Sequence, residues 1–152
     1  MTRGAVVLVE RVSELPAEVE NVLARESERA GLGFVRRLVE EWASGQNRFD
    51  RPGEALFVAR IDGRLVGVCG LNVDPYAKAP SVGRVRHLYV LGGYRRHGVG
   101  SHLARAVLAA AAGTFDTLRL RTENSSAARL YERMGFRRDV AAADCTHVME
   151  LS

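Results

Sequence analysis

Arg84 to Ala112 reads RVRHLYVLGGYRRHGVGSHLARAVLAAAA, and its period changes part-way. The first part alternates, with Val85, His87, Tyr89 and Leu91 on one face and Arg84, Arg86, Leu88 and Val90 on the other. That pattern, rich in β-branched and aromatic residues, predicts a strand. Gly92 and Gly93 end it. From Val99 the apolar residues Val99, Leu103, Ala106, Val107 and Ala110 recur at helical spacing. Between strand and helix lies Arg95-Arg96-His97-Gly98-Val99-Gly100-Ser101, a basic, glycine-bearing turn. Unbonded N–H groups and a positive dipole end make a helix N-terminus an anion site, and glycines let a phosphate come close. The stretch therefore predicts a phosphate-bearing ligand at the turn. It is not the dinucleotide fingerprint, because the position three after Gly100 is Leu103. Nor is it a P-loop, since no Gly-Lys-Ser/Thr follows.

Upstream, Ala5 to Val12 reads as a first strand. Ser13-Glu14-Leu15-Pro16 starts a helix with a cap candidate and early Pro and Glu. Leu15, Val19, Val22 and Leu23 supply its buried stripe. Gly31 and Gly33 interrupt, and Val35, Leu38, Val39 and Trp42 form the stripe of a second helix. Ser44 to Gly53 is a polar loop carrying Arg48 and Arg51. Ala55 to Ile61 and Arg64 to Val73 are strands joined by Asp62-Gly63, a type I′ hairpin signal. Gly67 and Gly70 in the second of these predict a bulge or a close approach. Asp74 to Gly83 is a loop. After the helix of the opening stretch comes a strand at Thr117 to Thr122, then a helix and a final hairpin. The order β-α-α-β-β-β-α-β-α-β-β predicts an α/β fold, a mixed sheet with helices on its faces.

The whole is 152 residues with 22 Lys and Arg against 18 Asp and Glu. That length fits one domain over residues 1–152 with a proper core. No run is long and apolar enough for a membrane span, and no secretory signal opens the sequence. Cys69 and Cys145 make no disulfide framework and belong to no Cys-x-x-Cys pair, so a cytoplasmic setting with reduced thiols is expected. The excess positive charge is scattered and does not form a stripe, which argues against nucleic acid as the partner. His97 and His102 lie five apart with no glutamate partner, so no metal set is read.

A second constellation is Asn124-Ser-Ser-Ala-Ala-Arg-Leu-Tyr131-Glu-Arg-Met-Gly135-Phe136. Ala127, Leu130, Tyr131 and Met134 share a helical face, Asn124 can cap the helix, and Gly135 suits its C′ position. Together the two stretches resemble the GNAT (GCN5-related) N-acetyltransferase superfamily. Arg95-Arg96-His97-Gly98-Val99-Gly100 is similar to its acetyl-CoA signature, Gln/Arg-x-x-Gly-x-Gly/Ala. Asn124 to Phe136 is similar to its later Asn-x-x-Ala-x-x-x-Tyr-x-x-x-Gly-Phe pattern. The resemblance covers about Ala55 onward and implies the GNAT fold, a mixed but mostly antiparallel central sheet flanked by helices on both faces.

The resemblance also implies roles. Backbone groups around Leu88, Tyr89 and Val90 would hold the pantetheine arm of acetyl-CoA. The turn formed by Arg95, Arg96, His97, Gly98, Val99, Gly100 and Ser101 would cradle the pyrophosphate. Asn124 would contact pantetheine, and Tyr131 would protonate the departing thiolate. An alkyl amine with pKa near about 10.4 is only about 0.1% neutral at physiological pH, so its proton needs an acceptor. Many members place a glutamate where Arg84 or Arg86 stands here, and arginine cannot serve. His87, expected on the face opposite those arginines, titrates usefully and is the candidate base; Glu123, Asp74 or a water relay are alternatives.

The implied activity is transfer of acetyl from acetyl-CoA directly to a primary amine, with no metal. The alternatives are a catalytically weak CoA-binding regulatory module, a hydroxyl acceptor, or another acyl-CoA. Arg48 and Arg51, with Arg84 or Arg86, are expected to make the acceptor's mouth positive, favouring an acceptor that bears carboxylate or phosphate. Exposed strand edges permit a homodimer without requiring one.

Overall fold

A computed structural model describes residues 6–151. Its strands are β1 (Leu8–Val12), β2 (Ala55–Ile61), β3 (Arg64–Val73), β4 (Val82–Val90), β5 (Thr117–Leu120), β6 (Arg137–Arg138) and β7 (His147–Glu150). The first helix, α1, is wound as a π-helix over Val19–Ala24 and as an α-helix over Arg25–Arg29. It is followed by α2 (Phe34–Ser44), α3 (Val99–Ala111) and α4 (Ser125–Arg133). The expected first strand is thus shorter than Ala5 to Val12, and Ala5 lies outside the described residues. The strands form one sheet in the order β1-β2-β3-β4-β5-β7-β6. Every neighbouring pair is antiparallel except β4 with β5. The mixed, mostly antiparallel sheet expected from the sequence is the one formed.

Local chemistry explains most of the elements. Asp62 and Gly63 have φ of 51° and 77°, the two positive values a type I′ turn requires. Asn124 caps α4 by accepting from the Ala127 N–H at 2.9 Å. Gly135, at φ 111°, follows that helix in a conformation other residues rarely adopt. In α1 the wider π winding moves the buried stripe: Val19, Leu23 and Ala24 are buried, whereas Val22, expected inside, is exposed.

The two faces of the sheet carry different helices. A side chain added at Gly67 would press on Val99 and Leu103 of α3. One added at Gly70, the next position but two along β3, would strike the Phe49 ring at 2.5 Å. Both glycines therefore admit a close approach, on opposite faces. Phe34 at the start of α2 packs edge-on to Tyr89, with ring centroids 6.0 Å apart, on the same side as Phe49. So α3 and α4 cover one face, and α1, α2 and the loop after α2 cover the other.

The bulge in β4 decides what reaches each face. Gly70 pairs with Arg86 but Val68 with Tyr89, so His87 and Leu88 together oppose the single residue Cys69. His87 takes φ 63° to do this. The extra residue reverses the alternation. Val85, paired with Leu71, faces α3, whereas Tyr89, paired with Val68, faces α2. The sequence pattern put Val85, His87 and Tyr89 on one face; the bulge separates Val85 from Tyr89. It also brings His87 to the side of Arg86, for its ring lies 6.1 Å from that of Phe49 and 6.4 Å from that of Phe34.

Candidate functional site

The site begins where the sheet comes apart. β4 pairs with β5 only through Val82, Gly83 and Arg84, opposite Thr117, Leu118 and Arg119. From Val85 to Val90 that edge of β4 has no partner strand among the described residues. The Leu91 N–H bonds the Val66 carbonyl at 2.9 Å, so the Gly67–Val90 pair is one whose amide groups turn away from β3. The amide groups of Val90 and, by the same alternation, of Leu88 therefore face the gap. An Arg95 side-chain N–H confirms the direction by bonding the Val90 carbonyl at 3.0 Å.

On the α3 face the gap meets the basic turn. The first intrahelical bond of α3 runs from the His102 N–H to the Gly98 carbonyl at 3.0 Å. The amides of Val99, Gly100 and Ser101 are left without an acceptor inside the helix. Gly98 holds φ 75°, a left-handed conformation that swings the chain into α3. A side chain at Gly100 would meet only the tip of Leu130 at 3.2 Å. Arg95 leans back over the Tyr89 ring, with 5.6 Å to its centroid, and both it and Arg96 are exposed charges of the turn. His97 packs on Tyr94, and His102 Nδ1 lies 2.8 Å from the Gly98 carbonyl. Asn124 and Tyr131 stand across from this turn on α4. The Tyr131 ring sits edge-on to Phe136 at 5.5 Å, and burial holds its hydroxyl well above the usual phenol range. Burial thus favours the protonated phenol, which can donate a hydrogen bond.

On the α2 face the gap is lined by Arg86, His87 and Tyr89. His87 is buried and its Nε2 has no hydrogen-bond partner among the described residues. Burial first, then the charges of Arg86 and Arg37, push its pKa down to about 3. The sequence reading gives His87 the proton-accepting role, yet an imidazole of that basicity returns a proton to water. What it offers is a neutral nitrogen for hydrogen bonding. The Tyr89 hydroxyl donates to Glu26 at 2.5 Å, and Glu26 also accepts from the Gly92 N–H, tying α1 to the end of β4. Burial and Glu26 push the Tyr89 hydroxyl up to about 12.

At the base of the gap stands a buried ion cluster. Asp74 pairs with Arg84 at 3.1 Å and with Arg119 at 3.6 Å, and accepts from the Tyr76 and Ala77 amides. Arg119 also pairs with Asp144, whose carbonyl accepts from Arg84 at 2.7 Å. Asp74 is thereby consumed and Arg84 neutralised. Glu123 is exposed and faces Arg121. Two of the arginines expected at the mouth are also engaged: Arg48 donates to the Trp42 carbonyl and Arg51 pairs with buried Glu54. Glu26, Arg37, Glu41 and Tyr76, which sequence reading passed over, enter the site through the packing of α1, α2 and the β3–β4 loop. No spacing signals them.

The arrangement offers an extended strand edge, a nest of helix-terminal amides and a buried phenol on one face, and a cationic recess on the other. The glycine turn and its free amides fit a pyrophosphate, and the outward amides of Leu88 and Val90 fit an extended amide-bearing arm.

A model described as the acetyltransferase (GNAT) family matches residues 18–136. The chain is 31% identical over 127 residues to N-alpha-acetyltransferase 30 of Xenopus laevis, covering 81% of this chain and 43% of that protein. It is 32% identical over 94 residues to an N-alpha-acetyltransferase of Sulfurisphaera tokodaii, covering 55% of this chain and 56% of that one. The chain thus spans only about half of the length of these relatives, or less. A crystal structure from Exiguobacterium sp. 255-15, described as that of an acetyltransferase, superposes with a TM-score of 0.84 at 28% identity, covering 95% and 93% of the two chains.

Proposed function

The chain belongs to the acetyltransferase (GNAT) family, and from that premise we propose that it moves an acetyl group from acetyl-CoA directly to a primary amine. One observation carries the reading: the unpaired edge of β4 runs into the free amides of Val99, Gly100 and Ser101. In this reading Leu88 and Val90 bond the pantetheine arm as a neighbouring strand would. The turn from Arg95 to Ser101 holds the pyrophosphate on its amides, with Arg95 and Arg96 as the nearby charges. Asn124 keeps its capping bond and presents its remaining polar groups to the arm.

Three demands of acyl transfer then fall to named groups. The carbonyl is polarised by backbone N–H groups freed where β4 bulges. The leaving thiolate, with an ordinary pKa of about 8.5, takes a hydrogen bond and then the proton of Tyr131, and the phenolate so formed, the stronger base, regains a proton from solvent. The amine loses its proton to water in the recess, with His87 Nε2 orienting that water, because no free carboxylate stands on β4.

A second reading, a coenzyme A-binding module with weak catalysis, draws on that same missing carboxylate. Release of free thiol from acetyl-CoA in the presence of an amine panel separates the two. The proposal expects amine-dependent release with formation of the acetylamide. Coenzyme A binding without turnover on any amine would favour the module.

A further inference from the structure

The described strands carry arginines on both faces and at both edges, and they differ in one respect. Arg11 donates to the Glu54 carbonyl, Arg60 pairs with Glu10 and Glu18, and Arg64 reaches the Tyr94 hydroxyl. Arg84 and Arg119 share Asp74, while Arg137 and Arg138 pair with Glu150 and Glu132. Arg86 alone has neither ion pair nor hydrogen bond among the described residues, although it is half-buried in the middle of the sheet. Leaving such a charge without a partner is costly unless a ligand completes it.

Its position says which ligand. Arg86 pairs with Gly70, whose face is covered by Phe49, and so points to the α2 side of the gap. The α3 side is taken up by the amide nest and Tyr131, so an amine must approach from the side of Arg86. Glu41 and Arg37 of α2, Arg84, and the Tyr76 hydroxyl of the β3–β4 loop lie near enough to act on it. Arg84 is already balanced by Asp74. The remaining charges are Arg86, Arg37 and Glu41, an excess of one positive charge that suits a monoanion better than a doubly charged phosphate. Burial also depresses the Arg86 pKa, a mark of the desolvation that a bound anion would offset. Tyr76, half-exposed and stacked over the Arg84 guanidinium at 4.9 Å, walls the recess.

We propose that Arg86 binds a carboxylate carried by the acceptor, so that the substrates of this site are amines bearing a carboxylate. The source is either a free amino acid or a peptide N-terminus followed by an acidic side chain. The assignment rests on the acyl-transfer reading above, and it narrows the acceptor that the reading leaves open.

The test is kinetic, on matched pairs that differ only in the carboxylate. Free amino acids are compared with their amides, and alanyl-glutamate amide with alanyl-glutamine amide, by thiol release from acetyl-CoA. In the native protein kcat/KM for the acid should exceed that for its amide by about ten- to a hundredfold, the range of a charge-assisted pair. Arg86→Gln should bring that ratio to about one, while affinity for coenzyme A by calorimetry stays unchanged. Arg86→Lys, which keeps the charge and loses the planar fork, should fall between and serves if the glutamine variant does not fold. Discrimination in the amino-acid arm or in the peptide arm supports the proposal and identifies the source. A ratio near one in the native protein, a ratio that Arg86→Gln leaves in place, or no turnover of any carboxylate-bearing amine overturns it. Failure of coenzyme A to bind the native protein removes the acyl-CoA premise itself, an outcome calorimetry distinguishes from the others.

Discussion

Removing Asp74 should loosen the base of the gap on which the site depends. Its side chain is fully buried between Arg84 and Arg119, and it accepts from the Tyr76 amide at 2.7 Å and the Ala77 amide at 3.0 Å. Asp74→Ala leaves two guanidinium groups with less compensation and two amides without an acceptor. Breaking a buried ion pair from one side costs about 3–5 kcal/mol. The surviving contacts of Asp144 with both arginines keep the expected loss within that range. Against a total stability of about 5–15 kcal/mol this is a large fraction. At about 2–4 °C per kcal/mol for a chain of this size, the melting temperature should fall by roughly 6–20 °C. Asp74→Asn, which can still accept from the amides, should cost about half as much, and adding Arg84→Gln to it should recover part of the loss. Urea unfolding followed by circular dichroism measures all three. A loss below about 1 kcal/mol in Asp74→Ala would refute the view that this cluster holds β4, β5 and the β6–β7 connection together.

Tyr131→Phe should lower kcat by about 10²–10⁴-fold while the KM for acetyl-CoA moves only a few-fold; an effect confined to KM would assign Tyr131 to binding. His87, with a folded pKa of about 3 against an ordinary value of 6.5, takes up its proton on unfolding between those limits. Its contribution is therefore complete above pH 6.5 and is lost as pH falls toward 3, by about 1.4 kcal/mol per unit. Urea unfolding at pH 7.5 and pH 5 should show a smaller loss in His87→Asn, a residue that tolerates positive φ, than in the native protein; equal losses would contradict the assigned pKa. Cys69 is fully buried with its thiol pushed up to about 12, and the Cys145 sulfur accepts from Arg119 at 3.4 Å. Neither should carry the acyl group, so the double Cys→Ala protein should stay active with ternary-complex kinetics, and ping-pong kinetics would refute this.

What could be read from the sequence follows from the range of the interactions involved. The α3 turn, the Asn124 cap and the Asp62-Gly63 hairpin are local, and each residue names its own conformation. The bulge at His87 is not local. It sets His87 and Leu88 against Cys69 of the neighbouring strand, and its traces in the sequence are Gly70 on that strand, which signals a bulge or a close approach, and a histidine, which tolerates positive φ better than most residues. Because the bulge reverses the pleat, an unbroken alternation placed His87 opposite Arg86 when the two share a side. The π winding of α1 misplaced Val22 for a similar reason, as a change of period inside a helix leaves an apolar stripe that still looks regular. The sequence offers Asp74 as a candidate base and Arg84 as an arginine where a base is expected. Their pairing depends on the β3–β4 loop folding back over the strand it precedes, which no spacing encodes.

The central claim is that the amides opening α3, beside the free edge of β4, bind coenzyme A. Gly100 gives the cleanest test, since its added side chain meets only the movable end of Leu130, whereas a substitution at Gly98 is strained by its φ of 75°. Glutamate there sets a negative charge where the pyrophosphate is to lie. Calorimetric titration of coenzyme A into the native protein and into Gly100→Glu of equal melting temperature should show saturable binding in the first and at least about tenfold weaker binding in the second. Equal affinity in the two folded proteins would contradict the account.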